Sequence, residues 1–253
     1  MLIDTHCHIQ NPENFADPDG AVSEALAAGV EKIVVVGCEP NDWNTVIPFI
    51  ERHDNVFGIC GWHPNYTAGY DPIEIPKLIR VLRHPKVLAL GEIGLDYHWA
   101  YSPHSLQIQA LKDQLRVSED TGMPVVFHAR EAYSDLLDIL EKVPPRKYLF
   151  HCFAGTKDDA RRALRLGAWF GCDGPITYKK ADELRDVFTF IPVHKIVLET
   201  DSPYMSPEPV RGKRNTPANL PIINRKLAEL HGMSEEEMAG QTTLNAKDFF
   251  GFP

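Results

Sequence analysis

The feature that most constrains the fold is an eightfold alternation of short apolar segments with longer amphipathic ones. The apolar segments are β-branched or aliphatic runs bounded by turn residues, which is typical of strands. Most are apolar on both faces, as in a parallel sheet that is covered on both sides. The predicted strands are Leu2–His6, Lys32–Gly37, Val56–Gly61, Val87–Gly91, Pro124–His128, Lys147–His151, Ala168–Asp173 and Lys195–Thr200.

The segments between the strands carry apolar residues three and four positions apart, which predicts amphipathic helices. Ser234, followed three residues later by Glu237, resembles a capping box and predicts a further C-terminal helix. The predicted helices are Ala21–Gly29, Asp42–His53, Ile73–Leu82, His104–Thr121, Glu131–Lys142, Lys157–Leu166, Ala181–Phe190 and Asn219–Leu230.

This order of strands and helices predicts parallel strands joined by crossover helices. Eight units suit a closed (β/α)8 TIM barrel, and an open, doubly wound sheet is the alternative. The length of 253 residues fits one such barrel. Because no linker or low-complexity tract interrupts the pattern, we expect a single catalytic domain over residues 1–253.

Charge and composition narrow the function classes. A net charge of −9, from 26 basic and 35 acidic residues, argues against a protein that coats nucleic acid, although local phosphate recognition stays open. No apolar window is long enough for a membrane span, and the start of the sequence lacks a signal-peptide pattern. Five cysteines, each in or beside an apolar run, indicate free thiols in a reducing compartment. We expect a cytoplasmic protein and, without a heptad seam, a monomer.

Histidines and carboxylates recur where the predicted strands end, and in parallel barrels chemistry gathers at that rim. The first strand runs into His6-Cys7-His8, whose two imidazoles share one strand face. His63 follows the third strand. The other residues at this rim are Glu92, His128, His151 and Asp201.

Any one of these residues is explained as a capping group, but their coincidence indicates bound metal. Six nitrogen and oxygen ligands are too many for one tetrahedral site with an open position, so they suit two metals that share Glu92. Imidazoles with carboxylates favour Zn²⁺ or Mn²⁺, and these ligand types do not decide whether Mg²⁺ also binds. Two metals about 3.5–4 Å apart are the arrangement that clamps a phosphoryl displacement. The predicted ligands are His6, His8, Glu92, His128, His151 and Asp201.

The same motifs resemble the TatD-like family of metal-dependent hydrolases. The resemblance spans nearly the whole chain and implies a TIM barrel of the metal-dependent hydrolase type, with deoxyribonuclease activity and divalent metals on the six ligands above. One departure is Ala154, where the family often has Ser; no proposed role depends on it. The motifs are His6-Cys7-His8, GEIGLDY at 91–97, FHAR at 127–130, HCFAG at 151–155, ETDSPY at 199–204, RGKRN at 211–215 and NAKDFF at 245–250.

The predicted mechanism is attack by metal-generated hydroxide. Asp201 is expected to orient the water and accept its proton, and a role as a pure ligand is the alternative. His63 is expected outside the ligand set, contacting a substrate phosphate or protonating the leaving oxygen. One metal is assigned to His6, His8, Glu92 and Asp201, and the other to Glu92, His128 and His151.

Basic and aromatic residues near the rim are candidates for substrate binding. Phosphate contacts are expected from Arg130, Arg211, Lys213 and Arg214. Trp62, Tyr97 and Trp99 are candidates for stacking on a base, and packing beneath loops is the alternative.

These features predict a divalent-metal hydrolase, a deoxyribonuclease or exonuclease that cleaves phosphodiester bonds at DNA or RNA ends. The acidic net charge favours trimming from ends over internal cutting. The alternative is an amidohydrolase-like enzyme acting on an ester, amide or lactone, including an aminoacyl ester. Many such enzymes bridge their metals with a modified Lys at the end of the fourth strand, where this chain has Glu92. A non-catalytic metal-binding protein is disfavoured because six convergent ligands exceed what storage needs.

Overall fold

Eight parallel strands form the wall of a barrel in which each strand pairs with the next along the chain. The structure is a computed structural model and describes residues 1–253. The strands are β1 Leu2–Cys7, β2 Val30–Gly37, β3 Val56–Cys60, β4 Val87–Asp96, β5 Val125–Arg130, β6 Tyr148–Phe150, β7 Trp169–Cys172 and β8 Ile196–Leu198.

The ring closes where the chain leaves β8 beside the end of β1. The Asp201 N–H donates to the His6 carbonyl at 2.9 Å, and the His8 N–H donates to the Ser202 carbonyl at 2.6 Å. The predicted (β/α)8 TIM barrel is confirmed, and the doubly wound alternative is wrong. This closure also brings two candidate ligands, His6 in β1 and His8 just after it, next to Asp201.

The helices follow the predicted alternation, and side-chain caps define the start of the first and the last of them. The first helix begins at Pro18, earlier than predicted, because Asp17 accepts the Gly20 N–H at 2.8 Å and Pro suits the first turn. The predicted capping box of Ser234 and Glu237 is confirmed. The helices are α1 Pro18–Ala27, α2 Pro40–Arg52, α3 Ile75–Leu82, α4 His104–Thr121, α5 Tyr133–Leu140, α6 Lys157–Arg165, α7 Asp182–Phe190, α8 Leu220–His231 and α9 Glu235–Phe250.

The core has two layers, because successive strand residues face opposite sides of the wall. In β2, Val34 and Val36 pack in the barrel interior, whereas Ile33 and Val35 pack under the helices. Phe249 and Phe250 of α9 join the interior cluster. All five cysteines are free thiols, and none of the helices has the length and apolar character needed to cross a bilayer.

Candidate metal centre

The Glu92 carboxylate lies at the centre of the site and is 2% exposed. Because β4 continues to Asp96, Glu92 lies within the strand rather than after it. Its Oε2 lies 3.3 Å from Nε2 of His6. Its Oε1 lies 2.7 Å from Nδ1 of His128, 3.4 Å from Nε2 of His151 and 3.5 Å from Nε2 of His63. Four imidazoles from different strand ends therefore converge on one carboxylate.

These imidazoles also fix the ionisation of Glu92. Burial pushes its pKa upward, but the surrounding rings of His151, His63 and His6 hold the pKa well below its usual range. The carboxylate is therefore ionised, as a metal ligand has to be.

His6 fits a cation because its ring is buried and unsatisfied. The residue is fully buried, and neither ring nitrogen makes a hydrogen bond of good geometry, although Nε2 lies 3.3 Å from the Glu92 carboxylate. Burial lowers the pKa of His6, so the imidazole is neutral and able to ligate a metal. Its ring stacks on His151 at 3.6 Å between centroids. Unsatisfied buried nitrogens are costly, and a divalent cation bound at this point would relieve that cost.

Asp201 and His8 lie beside His6. Asp201 Oδ1 is 3.4 Å from Nε2 of His8 and 4.0 Å from Nε2 of His6. Burial raises the pKa of Asp201, but the hydrogen bond from His8 and the nearby His151 outweigh it and lower the pKa below its usual value. Asp201 is thus an ionised carboxylate at the rim.

His63 joins the cluster, although sequence analysis placed it outside the ligand set. It precedes a short 3-10 helix, Pro64–Gly69, and its Nδ1 accepts the Asn65 N–H at 3.1 Å. The other ring nitrogen therefore faces Glu92, and the ring lies 4.4 Å from that of His128.

Glu92 is shared by two groups of side chains whose ligand atoms lie within reach of one cation. One group is His6, His8 and Glu92, and the other is His63, Glu92 and His128. His151 lies nearer His6 than His128, with ring centroids 3.6 Å and 6.2 Å apart. The expected assignment instead put His151 with His128. The donors are imidazole nitrogens and carboxylate oxygens, which fit a divalent transition metal.

Two buried carboxylates that sequence analysis missed hold histidines of the cluster. Asp96 Oδ2 lies 2.9 Å from Nε2 of His128, and Glu199 Oε1 lies 3.2 Å from Nδ1 of His151. Such contacts orient metal-binding histidines. Asp96 shares a strand face with Glu92, so a longer predicted β4 would have revealed it.

The predicted phosphate-binding residues lie on exposed surface outside this cluster. Arg130 ends β5, two residues past His128. Arg211 lies 4.0 Å from the Tyr178 ring and 3.9 Å from Glu208. Lys213 is exposed on the same loop, and Arg214 lies 5.6 Å from the Phe15 ring.

The three candidate stacking residues differ in their surroundings. Trp62 is 5% exposed and donates its indole N–H to the Tyr66 carbonyl. Tyr97 is stacked on His104 at 3.8 Å. Trp99 is 42% exposed. Packing therefore accounts for Trp62 and Tyr97 but leaves Trp99 unexplained.

Comparison with known proteins identifies the family of this chain. The family model described as TatD related DNase matches residues 3–251. The chain belongs to the TatD-related DNase family. It is 34% identical to the metal-dependent hydrolase YabD of Bacillus subtilis, over 99% of each chain. It is 30% identical to the 3′-5′ ssDNA/RNA exonuclease TatD of Citrobacter koseri, also over 99% of each chain.

The fold match extends over the whole chain. The crystal structure of YjjV, a TatD homologue from Escherichia coli, superposes with a TM-score of 0.94 at 31% identity. The match covers 100% of this chain and 98% of that one. The predicted family resemblance is confirmed, and the chain is a metal-dependent hydrolase that acts on ester bonds.

Proposed function

We propose that this protein is a two-metal nuclease that removes nucleotides from DNA or RNA ends. The observation that carries the proposal is the buried Glu92 carboxylate with four imidazoles within 3.5 Å. The exonuclease name of the Citrobacter koseri relative supports a nucleic acid substrate.

The ligand sets follow from this arrangement. Glu92 would be shared, and Zn²⁺, Mn²⁺ and Mg²⁺ are the candidate ions. When bound, such ions lower the pKa of water towards neutrality and offset negative charge on a phosphodiester. His6, His8 and Asp201 would complete one site and His128 the other, while His151 lies nearer His6 than His128 and 3.4 Å from Glu92, within reach of the shared carboxylate.

The chain's own residues would supply proton transfer and orientation. Asp201 is a buried, ionised carboxylate beside His6 and His8, and is suited to orient the attacking water and accept its proton. His63 has its Nδ1 occupied by the Asn65 N–H, so Nε2 carries the ring proton and could donate a hydrogen bond to an oxygen of the substrate phosphate. Asp96 and Glu199 would keep His128 and His151 in their orientations.

The exposed basic residues would bind the substrate's other phosphates. Arg130, Arg211, Lys213 and Arg214 are too few to hold a long duplex against a net charge of −9. This charge balance supports contact with a short stretch at a strand end.

A nuclease assay tests the proposal. The protein is incubated with end-labelled single-stranded DNA and RNA in Mn²⁺, Mg²⁺ or Zn²⁺, and in EDTA. We expect mononucleotides to be released with metal only, and closed circular strands to resist. Asp201→Asn should lower kcat by about 10²–10⁴-fold, whereas the exposed control Asp120→Asn should not. Inertness towards DNA and RNA, together with hydrolysis of a carboxylic ester panel, would favour the amidohydrolase-like alternative.

A further inference from the structure

Trp99 is the only one of four tryptophans that is exposed. Trp43, Trp62 and Trp169 are 1%, 5% and 6% exposed, compared with 42% for Trp99. The indole N–H groups of Trp43 and Trp62 each donate to a backbone carbonyl at 3.1 Å. An exposed aromatic ring that belongs to a larger exposed patch indicates a binding surface more than a buried ring does.

Trp99 is stacked with a second exposed ring and flanked by a cation. Its ring lies 5.5 Å from that of Tyr101 at an interplanar angle of 18°. Tyr101 is 61% exposed and stacks on no other aromatic ring, so ring surface stays open to solvent. The Arg130 guanidinium carbon lies 5.5 Å from the Trp99 centroid. We call these three residues the aromatic platform.

The aromatic platform lies next to the candidate metal centre, and Asp96 contacts residues of both. Oδ1 of Asp96 accepts the backbone N–H groups of His98 and Trp99 at 3.0 Å and 3.1 Å. Oδ2 of the same carboxylate lies 2.9 Å from Nε2 of His128. Asp96 and Arg130 are also paired in register between β4 and β5. One carboxylate therefore separates the Trp99 backbone from a candidate metal ligand.

The charge on the platform favours an anionic ligand that carries flat rings. Arg130 has no carboxylate within ion-pair distance. The carboxylate of its neighbour Glu131 instead contacts Nδ1 of His98 at 2.6 Å. In a chain of net charge −9, an unpaired guanidinium beside two exposed rings suits a phosphate next to a base.

We propose that Trp99, Tyr101 and Arg130 stack against an unpaired nucleobase adjacent to the phosphate that is cleaved. This inference rests on the proposed nuclease function and deepens it by naming the residues that would hold a base beside the cleaved phosphate. Both faces of an internal duplex base are covered by its neighbours, so a stacking platform engages bases that are unpaired and splayed.

Abasic oligonucleotides isolate the contribution of the bases. We compare kcat/KM on a thymidine oligonucleotide with kcat/KM on the same strand whose terminal residues are abasic, in Mn²⁺. Base–aromatic stacking predicts that the normal strand is preferred by about tenfold or more in the wild type. This preference should fall to within about twofold in Trp99→Ala and Tyr101→Ala, and Trp99→Phe should retain most of it because a ring remains.

Phe190→Ala is the matched control. Phe190 is 37% exposed at the end of α7 and carries the Arg161 guanidinium at 5.3 Å, so it is a similar pair away from the rim. It should keep the wild-type preference.

Each outcome decides between the two proposals. The platform is overturned, and nuclease function stands, if wild type digests both strands equally fast or if Trp99→Ala and Tyr101→Ala keep the full preference. Digestion of blunt duplex as fast as single strands also overturns it. If wild type releases no nucleotides from either strand, the nuclease function fails and the platform fails with it.

Discussion

Gly171 of β7 makes room for a carboxylate of the candidate metal centre, so adding one methyl group there should disturb fold and site together. A Cβ built at Gly171 would overlap both carboxylate oxygens of Glu199, far inside van der Waals contact. Glu199 is fully buried and accepts the Cys152 N–H, and it faces Nδ1 of His151. The carboxylate therefore has nowhere to move without losing these partners.

The cost of Gly171→Ala follows from two effects. Overpacking a well-filled core costs about 1–3 kcal/mol, and a lost hydrogen bond to a buried charged group costs about 1.5–3 kcal/mol. Because Glu199 can relax in part, we expect the free energy of unfolding to fall by about 2–4 kcal/mol. In a chain of this size, that corresponds to a melting temperature roughly 5–15 °C lower. Displacing the carboxylate behind His151 should also weaken metal affinity by about 10–100-fold.

Thermal melting and urea unfolding in EDTA measure the first effect, and calorimetric titration with Mn²⁺ or Zn²⁺ measures the second. Gly240→Ala is the control, because a Cβ at that position of α9 meets open space and should stabilise the helix by about 0.5–1 kcal/mol. If Gly171→Ala melted within 1 °C of wild type and bound metal normally, Glu199 would not occupy the space above Gly171.

Three further predictions concern the C-terminal helix, the barrel's underside and the bound metal. Ser234→Ala removes an oxygen that accepts the Glu237 N–H at 3.2 Å, and should lower the free energy of unfolding by about 1 kcal/mol in urea. Asn245→Leu removes the amide donor to the buried Ile196 carbonyl and to the part-buried Val193 carbonyl, which keeps the Ile196 N–H, and should cost about 1–3 kcal/mol in the same measurement. Metal at about 100 times the wild-type Kd should raise the free energy of unfolding of wild type by about 2.7 kcal/mol relative to EDTA. An equal gain in Glu92→Gln at the same metal concentration would locate the metal elsewhere.

The barrel and most of its rim could be predicted because their signals are local. Runs such as Lys32–Gly37 are too apolar to serve in anything but a covered strand. Once the strands are parallel, the residues that follow them have to meet at one end. That reasoning brought His6, Glu92 and His128 together without any knowledge of distances.

The missed residues depend on information that the sequence carries only weakly. The predicted β4 stopped at Gly91, but the strand continues through Gly94, with a register shift against β5 between Leu90 and Ile93. Because glycine is a poor strand former, Gly91 indicates the end of a strand rather than a bend within one. Glu199 is evident in the sequence motif, but its position beside His151 depends on Gly171 of β7, which has no side chain to occupy that space.

Asp96 connects the two halves of the proposed function, because one of its oxygens faces His128 and the other holds the Trp99 loop. Substrate stacking and metal binding would therefore share a single rigid support. Neutralising Asp96 would therefore weaken its contacts with both His128 and the Trp99 backbone, whereas removing the Trp99 ring would leave the contact with His128 in place. The proximity of exposed rings to the candidate metal centre is thus built into β4 itself, and under the proposed function Asp96 would couple metal binding to the recognition of single strands.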